Sequence, residues 1–151
     1  MDTKIKYTPD NITSIDDDQI FVFGSNCAGK HDGGAARYAH TMLNAEYGVG
    51  EGITGKCYAF PTLDENFCKR SLDELVKSRD LLYKTCLENK DKTFLLTKVG
   101  CGIAGYSSEF MKNLFIDNPK NLIKPIEWHK QTLWFKIKNK SYNFFFFFSK
   151  Y

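Results

Sequence analysis

Two glycine-rich segments hold the residues of this chain best suited to chemistry. Gly24-Ser25-Asn26-Cys27-Ala28-Gly29-Lys30-His31 satisfies the spacing G-x-x-x-x-G-K, and Gly100-Cys101-Gly102-Ile103-Ala104-Gly105 satisfies G-x-G-x-x-G. Glycine lets backbone amides approach a phosphate closely, and a helix that starts behind such a loop adds the positive end of its dipole. A magnesium-dependent phosphate loop would need Ser or Thr where His31 stands and a helix beginning at the lysine; here His31-Asp32-Gly33-Gly34 intervene. No later strand ends in the aspartate that would complete such a metal site. The second segment comes too late for a complete dinucleotide-binding fold, because only 46 of the 151 residues follow Gly105 and no clear strand with a terminal acid lies among them. A nucleoside triphosphatase is therefore disfavoured, and a full Rossmann domain does not fit. Taken together, the two loops predict a clamp of backbone amides on a diphosphate-bridged nucleotide, with no metal and no cofactor. The competing structural reading is that the glycines serve tight turns and close helix-strand packing.

The elements around these loops follow from apolar spacing. Ile20-Phe21-Val22-Phe23 and Phe94-Leu95-Leu96-Thr97-Lys98-Val99 read as buried strands that run straight into Gly24 and Gly100. Ala35, Ala39, Met42, Leu43 and Tyr47 have helical spacing, with Gly48 placed to stop the helix. Cys57-Tyr58-Ala59-Phe60 reads as a short strand ended by Pro61. Ser71-Leu72-Asp73-Glu74 is a capping box, and Leu72, Leu75, Val76, Leu82, Tyr83, Cys86 and Leu87 form the apolar face of the helix it opens. Phe110, Met111, Leu114 and Phe115 predict a last helix. Strands alternating with helices give an α/β fold, a mostly parallel sheet covered on both faces, with ligands at the carboxyl ends of its strands. Both glycine loops fall at such ends.

Composition excludes several classes of function. With 42% hydrophobic and 26% charged residues the chain is an ordinary folded domain, and no apolar run approaches the length of a membrane span. The start MDTKIKYTPD lacks the apolar core of a secretion signal, so a cytoplasmic protein is expected. The net charge of +3 divides unevenly: residues 129 to 151 carry five lysines and no acid, leaving 3 − 5 = −2 on residues 1 to 128. The charge thus argues against an extended nucleic-acid surface on the body, and an anionic ligand needs a local cradle. Five cysteines with no C-x-x-C pair, and His31, His40 and His129 without zinc-ligand spacing, read as reduced structural thiols and no metal site. His31, alone in a loop, reads as exposed.

Asp10-Asn11-Ile12-Thr13-Ser14-Ile15, then Ile20 to Asn26, then Gly33-Gly34-Ala35-Ala36 resembles the opening of macro domains, and Lys98 to Tyr106 resembles their second loop. Phe21 to Asn26, Tyr58-Ala59-Phe60-Pro61-Thr62 and Gly100 to Tyr106 resemble more closely a family of small macro-like proteins of microbes and viruses. The resemblance covers roughly residues 10 to 128. It implies a three-layer α/β/α fold with a mixed, mostly parallel sheet, and ADP-ribose or a related diphosphate nucleotide as ligand. Asp10, or Asn11 in the neighbouring register, would meet adenine. Gly24, Ser25 and Asn26 would form the strand-end loop, and Gly33, Gly34 and Ala35 would open a helix beside the distal ribose. Gly100, Cys101, Gly102, Ile103, Ala104 and Gly105 would cover the diphosphate, with Tyr106 behind them.

Two activities follow from the resemblance and stay open. One is hydrolysis of an ADP-ribosyl linkage on a macromolecule, with Asn26 orienting a ribose hydroxyl or water and Asp32 or Asp64 as general base. The other is a binding module that reads or sequesters the nucleotide without turnover. Leu63-Asp64 stands where the small family has Lys-Asp, so no lysine nucleophile is evident there; Cys101, between two glycines, is a candidate nucleophile or a small residue that permits close approach. The segment 129–151, with Trp134 to Lys138 as a possible strand and five phenylalanines at Phe144 to Phe148, suits an edge strand, a disordered extension, or contact with a membrane surface or single-stranded nucleic acid.

Overall fold

A computed structural model describes residues 7–129 of the chain. Their order is β1 (Gln19–Asn26), α1 (Gly34–Met42), β2 (Gly52–Thr54), β3 (Cys57–Leu63), α2 (Leu72–Glu88), β4 (Thr93–Leu96), α3 (Ser108–Leu114), β5 (Leu122–Ile123) and a 3-10 turn at Ile126–Trp128. The five strands form one sheet in the order β2-β3-β1-β4-β5. β3, β1, β4 and β5 run parallel, and only β2 is antiparallel, to β3. The predicted α/β class, with a mixed and mostly parallel sheet, is the architecture observed.

β1 lies at the centre and is buried on both sides, which is why it reads as an unbroken apolar run. Phe21 and Phe23 join Ala36 and Ala39 of α1, Cys57 and Ala59 in the smaller core cluster. Ile20 and Val22 join Tyr58, Phe60, Leu75, Leu82, Phe94, Leu96, Met111, Leu114 and Phe115 in the larger one, under α2 and α3. The alternation of strand side chains thus divides one sheet between two helical layers. Trp128 closes the larger cluster: its ring stacks on Phe115, with centroids 5.8 Å apart, and Nε1–H donates to Ser108 Oγ at 2.9 Å.

Four expectations about the elements require correction. β4 ends at Leu96, short of Val99, because the Val99 N–H turns back to the Thr97 carbonyl. α1 stops at Met42, short of Tyr47 and Gly48: the N–H groups of Leu43 and Ala45 both bond the Ala39 carbonyl, and Asn44 turns the chain at φ +64°. β3 runs through Pro61 to Leu63, because β2 pairs only with Cys57–Ala59 and leaves that edge of β3 without a ladder at the proline. α2 has its capping box, with Glu74 N–H on Ser71 Oγ and Ser71 N–H on Glu74 Oε1, but its buried face is Leu75, Ser78, Leu82 and Cys86. Leu72 and Leu87 are largely exposed, one at each end of the helix.

No helix among the described residues is long and apolar enough to cross a membrane. The expectations for Trp134 to Lys138 and Phe144 to Phe148 lie outside the described residues.

Candidate functional site

β1 leads out to α1 on one face of the sheet, and its neighbour β4 leads out to α3 on the other. Chains that part in this way leave a crevice beyond the carboxyl ends of the strands. Two clefts occupy it. One, of about 440 Å³, is lined by Gly24, Ser25, Asn26, Lys30, Asp32 and Gly33 on one side and by Gly100, Gly102, Ile103 and Ala104 on the other, with Thr62, Leu63 and Phe67 at its end. The other, of about 640 Å³, holds Asp10, Asn11 and Thr13 with Phe21 and Tyr38. They share Gly34, Ala35, Thr97 and Lys98, so they meet at the first turn of α1.

That turn is open. Gly33 is the N-cap residue of α1 and has no side chain to cap it, so the first amides and the positive end of a nine-residue helix face the junction. Across from it Ile103 Cδ1 lies 3.6 Å from where a Cβ on Gly33 would be. The junction therefore presents backbone donors on one wall and a glycine-rich turn on the other, an arrangement able to hold an anion without a metal.

The loop after β1 is braced by side chains. Asn26 Nδ2 donates to the Lys30 carbonyl at 2.9 Å, and Asn26 Oδ1 accepts from Lys30 N–H at 3.0 Å. Ser25 Oγ donates to the Gly50 carbonyl. His31, expected to be exposed, is instead 2% exposed: its ring meets Phe23 edge-on at 5.1 Å and Nε2 bonds the Val49 carbonyl at 3.1 Å. Burial holds its imidazole below the ordinary value. Beneath the loop, glycines permit contact that any Cβ would forbid: one on Gly29 would lie 2.2 Å from the Gly48 carbonyl carbon, and one on Gly50 2.5 Å from the Asn26 oxygen.

The loop after β4 is held by backbone turns, Cys101 N–H to Lys98 O, Gly105 N–H to Gly102 O and Tyr106 N–H to Gly100 O, with Gly100 and Gly105 at φ +78° and +74°. Its base is anchored by Tyr106, whose hydroxyl donates to the Thr62 carbonyl at 2.9 Å and accepts from Arg70 N–H at 2.8 Å. Lys98 is paired with Glu127. Among the described residues no side chain bonds to Gly102, Ile103 or Ala104.

Of the three candidate catalytic residues, only Asp32 offers the cleft a carboxylate. It is exposed, and both its oxygens lie 3.1 Å from the Tyr47 hydroxyl that donates to them. Asn26 lines the cleft but spends a donor and an acceptor on its own loop. Asp64 is outside the lining, and its Oδ1 accepts from Asn66 and Cys68 N–H groups at 2.8 and 2.9 Å. Among the ligand-binding candidates, Asp10, Asn11, Gly24, Ser25, Gly33, Gly34, Ala35, Gly100, Gly102, Ile103 and Ala104 are brought together. Cys101, Gly105 and Tyr106 are not. Cys101 turns toward the larger core, with Sγ 3.7 Å from the Val99 carbonyl, and burial pushes its thiol up, the reverse of an activated nucleophile.

Sequence reasoning missed Tyr38, Thr62 and Phe67, and gave Lys30 no role beyond its motif. Only Phe67 carried a signal, as an aromatic residue in the polar run Asp64-Glu65-Asn66-Phe67-Cys68-Lys69-Arg70. Among the described residues no three His, Cys, Asp or Glu side chains come together as a metal ion would require. Comparison of the chain with models of known protein families, with curated proteins and with solved structures found no match.

Proposed function

We propose that the chain is a macro-domain-like protein that binds ADP-ribose or a nucleotide built on the same diphosphate. The observation that carries this reading is the meeting of two clefts at the uncapped end of α1, opposite Gly102–Ala104. A diphosphate takes the junction, the nucleoside takes the side with Asp10 and Asn11, and the second ribose takes the side with Asn26 and Asp32. Such a ligand is anionic only at its centre, which suits a body of net charge −2 whose cleft supplies backbone amides and Lys30 locally. The protein works in the cytoplasm, where its five unpaired thiols stay reduced.

Titration calorimetry with ADP-ribose in the absence of magnesium tests this. Saturable one-to-one binding is expected; no heat and no thermal shift with ADP-ribose would overturn it. The position of Asp32 also favours a reading with turnover, in which its carboxylate activates a water against the anomeric carbon of the second ribose. Release of free ADP-ribose from an ADP-ribosylated protein, lost in Asp32→Ala, supports that reading, and binding without release leaves a module that holds the nucleotide.

A further inference from the structure

Two exposed apolar side chains from different loops line the cleft, Ile103 beside Gly33 at the junction and Phe67 beside Lys30, and the binding of a ribose or a diphosphate does not use the Phe67 ring. Phe67 is 50% exposed and Ile103 88%, and both line the cleft that holds Asn26, Lys30 and Asp32. A single exposed apolar side chain is ordinary. The way Phe67 is held is not. Its backbone lies at φ +63°, a left-handed conformation that a bulky residue adopts only when its surroundings impose it.

The surroundings are a closed turn. Asp64 N–H donates to the Cys68 carbonyl at 2.8 Å and Phe67 N–H to the Asp64 carbonyl at 3.1 Å. The Asp64 carboxylate adds its bonds from Asn66 and Cys68, and Leu63 and Lys69 bridge below. Asp64 is therefore a positioning residue, and what it positions is a phenyl ring that stays half in water. The loop stores strain at the rim of a cleft and recovers little burial for it, which is the pattern of a contact prepared for a partner that arrives later. The Lys30 ammonium, 5.5 Å from the ring centroid, sits over the same side chain.

Resting on the nucleotide reading above, we infer that the ligand is a dinucleotide, carrying a flat nitrogen heterocycle on its second ribose, and that this ring lies against Phe67. A ribose hydroxyl or a phosphate needs donors and acceptors, and the Phe67 ring has neither. The face of a heterocycle needs only an apolar face to lie on. Lys30 opposes a ring that is itself cationic and accepts a neutral one.

Titration calorimetry on the full chain with four probes tests this: ADP-ribose, NADH, NAD+ and a dinucleotide with adenine at both ends. A neutral ring on the second ribose should tighten binding about tenfold over ADP-ribose, and NAD+ should bind more weakly than NADH. Phe67→Ala should erase that advantage while ADP-ribose affinity changes less than about twofold, and Phe67→Leu should keep part of it. A preference between NADH and the double-adenine probe assigns the ring as a nicotinamide or a nucleobase. Equal affinity for ADP-ribose and both neutral-ring probes, or an equal loss for all probes in Phe67→Ala, overturns the ring site and leaves the nucleotide reading standing. If no probe binds, both fall together.

Discussion

The two loops that face each other over the cleft are built in opposite ways. The loop after β1 is fastened along its whole length: the Asn26 amide bonds Lys30 across the loop at both ends, Ser25 reaches Gly50, and His31 is buried against Phe23 and Val49. The loop after β4 is tied from outside only at its base, by Tyr106 to Thr62 and Arg70 and by Lys69 Nζ to the Gly105 carbonyl, and at its tip Ile103 stands almost wholly in solvent. The first loop belongs to the core of the protein as much as to the site. Glycines in it are there for packing, whereas Gly102 has open space where a side chain would go. The same residue type therefore carries two different meanings on the two sides of one cleft, and substitutions separate them.

The largest effect is expected at Gly29. Its φ is +70° and a Cβ would meet the Gly48 carbonyl carbon at 2.2 Å, a backbone atom that cannot step aside. Gly29→Ala should lower stability by about 3 kcal/mol or more in urea denaturation. A change below about 0.5 kcal/mol would show that the first loop is not packed as described. Next is Asn26→Leu, which removes both side-chain bonds to the Lys30 backbone and should cost about 1 kcal/mol. A stability loss with nucleotide affinity unchanged would make Asn26 a brace alone.

A smaller effect, confined to acid, comes from His31. Burial lowers its folded-state value below the ordinary 6.5, so on acidification the unfolded chain takes up the proton first. Stability is whole above about pH 6.5, falls as the pH drops below it, and levels once the folded value is passed. His129 is shifted in the same direction by burial, so the measurement is a difference: the His31→Gln variant should show a shallower loss below pH 6.5 than the parent. Identical slopes would place His31 in water in the folded protein. The smallest effect on stability is expected at Gly102, where nothing lies within 4 Å of a Cβ; Gly102→Val should stay within about 0.5 kcal/mol of the parent.

The parts of this architecture legible from residue types are those set by local pattern. Ile20 to Phe23 and Phe94 to Leu96 are apolar because the centre of a parallel sheet is buried on both faces, and Ser71 with Glu74 announces α2 in one turn of chain. β2 and β5, three and two residues long, offer no periodicity to read. The stop of α1 was hidden because Asn44, not a glycine, takes the left-handed turn, while Gly48 is spent on a contact with Gly29 that exists only once the chain is folded. The glycines pointed to the two strand ends between which the cleft lies. The acids did not sort themselves. Asp32 and Asp64 have the same chemistry and comparable settings in sequence, and only the turn around Phe67 reveals that Asp64 is occupied. Phe67 stood out only as an aromatic residue in a polar run, because its place in the cleft depends on three segments distant in the chain.

The central claim is that Gly102 leaves space for a diphosphate between its loop and the open end of α1. The most direct test is calorimetric titration of ADP-ribose into the parent and into Gly102→Val, alongside their urea denaturation. The account predicts equal stability, saturable binding by the parent, and an affinity at least about tenfold weaker in the variant, a penalty of about 1.4 kcal/mol or more. Equal affinity in two equally stable proteins would contradict it.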